Sequence, residues 1–161
     1  MPKTTTILEV FVSCPSDLVE ERRLLEEVIT EFNLTSGVDN NVQLQLLAWE
    51  THTHPGLGDD AQDVINQQIG DSYDIFIGMM WGRFGSPTIR SQSGTQEEFE
   101  RAFARFKNAG GAVQIMFYVK DAPLPPSHIE PQQLEKVQLF KQELSQSYGG
   151  LYQQFTTAED C

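Results

Sequence analysis

Tyr73-Asp74-Ile75-Phe76-Ile77-Gly78-Met79-Met80-Trp81 is the most continuous apolar run in the chain. Its length and lack of helical spacing suit a strand packed on both faces, and such a strand belongs at the centre of a parallel sheet. Four other stretches read as strands: residues 7–13, 42–49, 112–119 and 151–156. The second alternates polar and apolar residues at first, as a strand nearer a sheet edge does.

Helical patterns lie between the strands. Ser16 or Asp17 is placed to cap a helix reaching Leu34, with Glu20 in capping-box position. Leu18, Leu25, Val28 and Phe32, widened by Leu24 and Ile29, form its apolar stripe; Glu20, Glu21, Arg22, Arg23, Glu26, Glu27 and Glu31 cover the remainder. Residues 35–41 read as a loop. Asp59 or Asp60 caps a second helix to Gly70, with Ala61, Val64, Ile65 and Ile69 inward. A third helix runs over residues 96–108 and ends at Gly110-Gly111. A proline-rich connection over 120–131 leads to a fourth over 132–147, with Leu134, Val137, Phe140 and Leu144 on one face. Strict alternation of strand and helix predicts an α/β fold, a five-stranded parallel sheet with helices on both faces. Residues 1–161 read as one domain, and the final Thr157-Ala158-Glu159-Asp160-Cys161 reads equally as a polar tail or as the start of a helix in a longer protein.

Composition narrows the function. The 161 residues are 39% hydrophobic and 21% charged, which is globular. Eleven basic against 23 acidic residues give a formal charge of −12, which repels a phosphate backbone, so no nucleic-acid partner is expected. No apolar run approaches the roughly 20 residues of a membrane span, so no membrane partner is expected either. Cys14 and Cys161 form no disulfide framework, and a reduced cytoplasmic protein is the default.

In a parallel sheet the C-terminal strand ends share one rim, where ligands bind. Residues 13–17, 49–58, 81–95 and 120–128 fall on it, and these loops are long, polar and glycine-rich. On the 96–108 helix, Phe99, Ala102, Phe103 and Phe106 define the buried face. At roughly 100° per residue, Glu97 points away from that face, four residues before Arg101, as a surface pair would. Glu98 lies at the boundary of core and solvent and can border a pocket. In the first turn the helix dipole would hold its carboxylate ionised, which suits stabilising or attacking an oxocarbenium-like sugar. A first-turn glutamate also serves simply to complement the dipole, and geometry alone leaves both readings open.

Other chemistries are thinner. Cys14 sits at a strand-to-helix turn, but Pro15-Ser16-Asp17 lacks the glycine cradle and arginine of a phosphate loop. His52 and His54 have no third ligand at a recognisable spacing, so no metal is expected. Gly82-x-x-Gly85 is too short for a nucleotide fingerprint, and no hydrolase elbow is present.

Val10-Phe11-Val12-Ser13 followed by Asp17-Leu18-Val19-Glu20-Glu21-Arg22, then Trp49, Gln62-Asp63-Val64-Ile65-Asn66, Asp74-Ile75-Phe76-Ile77-Gly78, Trp81-Gly82-Arg83-Phe84-Gly85 and Ser93-Gly94-Thr95-Gln96-Glu97-Glu98-Phe99, span nearly the whole chain. In this order they resemble the TIR-like domain of unknown function at the N-terminus of many STAND-type and NLR-like ATPases. The resemblance implies a flavodoxin-like, three-layer TIR fold. It also implies cleavage of the nicotinamide–ribose bond of NAD by a glutamate on the helix after the third strand, switched on when copies assemble in immune or cell-death signalling. NAD would then be substrate, with no resident cofactor. Nucleoside deoxyribosyltransferases, related in fold, carry Gly-Thr-x-x-Glu, and Gly94-Thr95-Gln96-Glu97-Glu98 is similar, with Glu98 as the carboxylate. The Trp-Cys-x-x-Glu pattern common before the TIR glutamate is absent. By the same resemblance Ser13 would lie near ribose or phosphates, Thr95 would help bind the nucleotide, Trp49 and Trp81 would stack on a ring or pack the rim, and Arg83 would meet a phosphate or form a salt bridge. The competing expectations are a non-catalytic TIR-like interaction module, joining its own copies and further domains of the same protein, and a nucleoside or nucleotide N-glycosidase or deoxyribosyltransferase-like enzyme.

Overall fold

The computed structural model describes residues 1–47, 61–108, 110, 113–149 and 152–160. Five strands, β1 (Thr6–Ser13), β2 (Val42–Leu47), β3 (Ile75–Met80), β4 (Gln114–Lys120) and β5 (Gln153–Phe155), form one all-parallel sheet in the order β2-β1-β3-β4-β5. Between them run α1 (Val19–Leu34), a short α2 (Ser36–Asn40), α3 (Ala61–Ile69), α4 (Gly94–Asn108) and α5 (Pro131–Ser147). The expected alternation and parallel sheet are therefore present, and the topology is flavodoxin-like. β3 is flanked on both sides, pairing Val10 with Ile75 and Met80 with Val119, and β2 lies at an edge.

The strands' period of two sorts the core into two layers. Phe11, Phe76, Met80, Phe117 and Val119 face Ile69, Phe99, Ala102, Val137, Phe140 and Leu144, so α3, α4 and α5 cover one side. Val10, Val12, Ile77 and Met79 face Leu18 and, on α1, Ile29 on the other. Phe99 is fully buried, its ring edge-on to Phe117, Phe140 and Tyr148 at 5.1–5.7 Å. Gly78 allows this layer to close on β3, since a Cβ there would collide with the Phe117 ring.

Local readings fail where tertiary partners intervene. Residues 36–40 are a short helix, not a loop; it ends at Asn41 in the left-handed region (φ 54°). α1 starts at Val19 after Leu18, with no side-chain cap. Asp17 bonds elsewhere, and Glu20 pairs with Arg23 on the surface. Val28 is 52% exposed, being about 100° around the helix from the buried Ile29. Glu21 is buried and forms an ion pair with Lys120, against the expectation of a solvated face. α4 begins two residues early because Ser93 Oγ accepts from the Gln96 amide and caps it. Phe106, expected inside, is 41% exposed in the last turn, beyond the main core cluster, with its ring stacked on Phe103. α5 starts at Pro131, a residue suited to the first helical position. The cap expected at Asp59 or Asp60 lies outside the described residues. Among the described residues no helix is long and apolar enough to cross a membrane.

Candidate functional site

β1 and β3 are neighbours, and β2 and β4 lie outside them, so the strand order reverses between β1 and β3. A crevice opens at such a point beyond the strand ends. Ser13 is the last residue of β1, and the loop over residues 81–93 leaves β3 beside it. The loop's backbone is held from both sides. Asp17 Oδ2 accepts from the amides of Gly82 (2.9 Å) and Arg83 (3.0 Å). Gln133 Oε1, from the first turn of α5, accepts from those of Phe84 (2.9 Å) and Gly85 (3.0 Å). Four successive donors thus end on two side-chain oxygens. Burial pushes the Asp17 carboxyl up, opposed by these backbone bonds and by Arg83.

Glu98 stands where α4, α3 and β1 meet. Its side chain is buried, with Ser13 Oγ donating to Oε2 and Gln62 Nε2 donating to Oε1 at 2.9 Å. Burial raises its pKa, while the Ser13 and Gln62 bonds lower it in smaller measure. Neighbouring Glu97 raises it and Arg101 lowers it, more weakly still. The expected depression by the helix dipole is not found, because the Ser93 cap puts Glu98 in the second turn and desolvation prevails.

A cavity of about 240 Å³ opens onto this carboxylate, walled by Ser16, Gln62, Arg83, Gly94, Thr95 and Glu98 together with Cys14, Pro15, Ile65, Gly85 and Ser86. Gly94 matters for the wall's shape: a Cβ would strike the Gln62 amide oxygen. Arg83 is the one cation among the described lining residues, with Ser16 Oγ at 3.5 Å and Glu130 Oε1 at 3.8 Å.

Of the residues singled out from sequence, the structure brings Glu98, Arg83 and Thr95 to one cavity. Ser13 lies behind Glu98 and reaches the cavity only through it. Trp81 points to the other side of the sheet, where it packs against the α1 layer, donates Nε1–H to the Ala122 carbonyl (3.1 Å) and lies 4.1 Å under the Lys120 ammonium. Trp49, His52 and His54 lie outside the described residues. Among the described residues no group of three or more His, Cys, Asp or Glu could hold a metal.

The pairing of Glu97 with Arg101 is corrected. Glu97 is 4% exposed and takes bonds from Asn66 Nδ2 (2.8 Å), Thr88 Oγ1 (2.7 Å) and Arg90. Arg101 instead grips Asp71 at 2.8 and 2.9 Å. A helical wheel locates Glu97 opposite the aromatic face but carries no information on the 86–92 loop that folds over it. Gln62 and Asn66 stand in the 62–66 motif, but the sequence assigns them no role in the site. They lie one helical turn apart on α3, a spacing visible in sequence but overshadowed by the apolar positions between them.

A family model described as a domain of unknown function, DUF4062, matches residues 9–161. No curated protein matches the chain.

Proposed function

We propose that this chain, which belongs to the DUF4062 family of domains of unknown function, is a TIR-like effector domain that hydrolyses the nicotinamide–ribose bond of NAD when copies assemble. The observation carrying this reading is the Glu98 carboxylate, buried at the sheet's switch point and open to a cavity with an arginine on its wall.

The chemistry follows from that carboxylate. Heterolysis of the C1′–N bond sends the bonding pair to the pyridinium nitrogen and releases neutral nicotinamide. The positive charge left on C1′ and the ring oxygen is met by ionised Glu98, as stabiliser or as nucleophile. Water then adds at C1′ and its proton leaves to solvent. Burial opposes the ionised form, and the two donors on Glu98 support it. Arg83 is suited to the pyrophosphate.

A second reading, a non-catalytic TIR-like interaction module, is favoured by one fact: both Glu98 oxygens already have partners inside the protein. A third, an N-glycosidase acting on a nucleoside, is favoured by the modest cavity, which falls below the usual range for drug-sized ligands.

The test is nicotinamide release from NAD at high protein concentration, comparing wild type with Glu98→Ala, and nucleobase release from nucleosides in parallel. The proposal expects release by wild type and a loss of at least about a hundredfold in the variant. A fully active Glu98→Ala, or no release from NAD in any assembly state, would sink it; base release from nucleosides alone would favour the third reading.

A further inference from the structure

A chain of side-chain bonds runs from the buried acid next door to the proposed reacting carboxylate. Glu97 Oε1 accepts from Asn66 Nδ2 at 2.8 Å. Asn66 Oδ1 accepts from Gln62 Nε2 at 3.1 Å, and the same nitrogen donates to Glu98 Oε1 at 2.9 Å. A primary amide has one donor end and one acceptor end, so each bond dictates the orientation of the next. A carboxylate is acceptor-only. Glu97 therefore turns the Asn66 nitrogen toward itself and the Asn66 oxygen toward Gln62. That oxygen draws the Gln62 nitrogen, whose second hydrogen is then aimed at Glu98. Were Gln62 reversed, its oxygen would face a carboxylate oxygen. We propose that Glu97, Asn66 and Gln62 are positioning residues that aim an amide donor at Glu98, with Glu97 as the fixed end of the relay.

The fixed end is itself well held. Arg90 and Thr88 bind the Glu97 carboxylate from the loop above, so it does not depend on Asn66 for its place. The other described groups around Glu98 do not supply the same orientation. Ser13 occupies the opposite oxygen. Arg101 is engaged by Asp71, and Tyr73 with Asp71 borders the small void on the far side of Glu98. Cys14 and Arg83 line the cavity wall. The inference rests on Glu98 as the reacting carboxylate, but its central observable is the titration of Glu98, which exists whether or not NAD is cleaved.

Two effects of Glu97 on that titration have opposite sign. Its negative charge raises the Glu98 pKa, while the Gln62 bond that it orients lowers it; removing Asn66 breaks the orientation and leaves the charge in place. The full chain, labelled with ¹³C at the glutamate carboxyls, is titrated by NMR as wild type, Gln62→Met, Asn66→Leu and Glu97→Leu, with thermal melting to confirm folding. The expected result is an upward move of the Glu98 midpoint in Gln62→Met and Asn66→Leu. Asn66→Leu moves it up with no change of charge at all, whereas Glu97→Leu removes a charge and an orientation whose effects on the midpoint oppose each other. Nicotinamide release at neutral pH should fall about tenfold or more in each. An unmoved midpoint in Asn66→Leu would overturn the relay, and an unmoved midpoint in Gln62→Met does so if Asn66→Leu does not fold. Upward midpoints with no release from wild type would leave the relay standing and remove the NAD reading.

Discussion

Ser13, the last residue of β1, donates its hydroxyl hydrogen to Glu98, a residue of α4. The bond joins the sheet to the helix at the point where the strand order reverses, and it holds a carboxylate in a place that strips it of water. Much of what can be measured on this protein follows from that conflict.

Glu98→Gln should stabilise the fold at neutral pH. The folded-state pKa of Glu98 is raised, so its contribution to stability is fully present below the ordinary glutamate range and is lost as pH rises through the folded value. A neutral amide removes that loss. Urea unfolding at pH 8 should show a gain of about 1 kcal/mol, within the range of single stabilising substitutions. The gain should shrink at pH 4, and an equal gain at both values would contradict the sign.

Gly94→Ala should damage the site more than the fold. The added Cβ meets the Gln62 amide oxygen, and Gln62 must turn to avoid it. Nicotinamide release should fall about tenfold or more, while the melting temperature changes little, because alanine suits a helix better than glycine. Unfolding and activity lost together would point to a general packing defect instead.

Asp17→Ala should cost about 1–3 kcal/mol in urea unfolding, the penalty for leaving buried donors unsatisfied. The amides of Gly82 and Arg83 lose their acceptor together. Hydrogen exchange should accelerate at these two positions and not at Phe84 and Gly85, which Gln133 holds.

The buried Glu21–Lys120 pair calls for a double-mutant cycle. Either single change, Glu21→Leu or Lys120→Met, leaves one charge uncompensated and should cost about 3–5 kcal/mol. The double variant should recover most of that loss, because two apolar chains of similar size fill the space without a desolvated charge. Additive losses would mean that the pair acts independently.

The fold was readable because strands and buried helix faces announce themselves by period. The run over 73–81 sits at the centre of the sheet, and the apolar stripe of Val137, Phe140 and Leu144 is buried as spaced. The place of Glu98 on a cavity wall was readable because a helical wheel puts it at the boundary of core and solvent. The partners of Glu98 were not. Whether Glu97 meets water or Arg90 depends on how the 86–92 loop closes, and no local spacing encodes that. Asp17 carried the local signature of a helix cap but takes two loop amides instead, so the tertiary bond prevailed over the local one. Gln62 and Asn66 show only the weak signal of two amides one turn apart, and its meaning emerges once Glu97 and Glu98 stand beside them.

The four pinned amides of residues 82–85 bear on the order of assembly. One of their anchors, Asp17, is made long before the loop, and the other, Gln133, long after it. Contacts so distant along the chain form late, since the intervening segment must first be confined. A growing polypeptide can complete its central strand well before residue 133 exists, yet the loop cannot then hold its final shape. In pulse-labelled refolding, protection at Phe84 and Gly85 should arrive with α5 and not with β3. The cavity would accordingly be finished last, which leaves the surroundings of the Glu98 carboxylate unshaped until the molecule is whole.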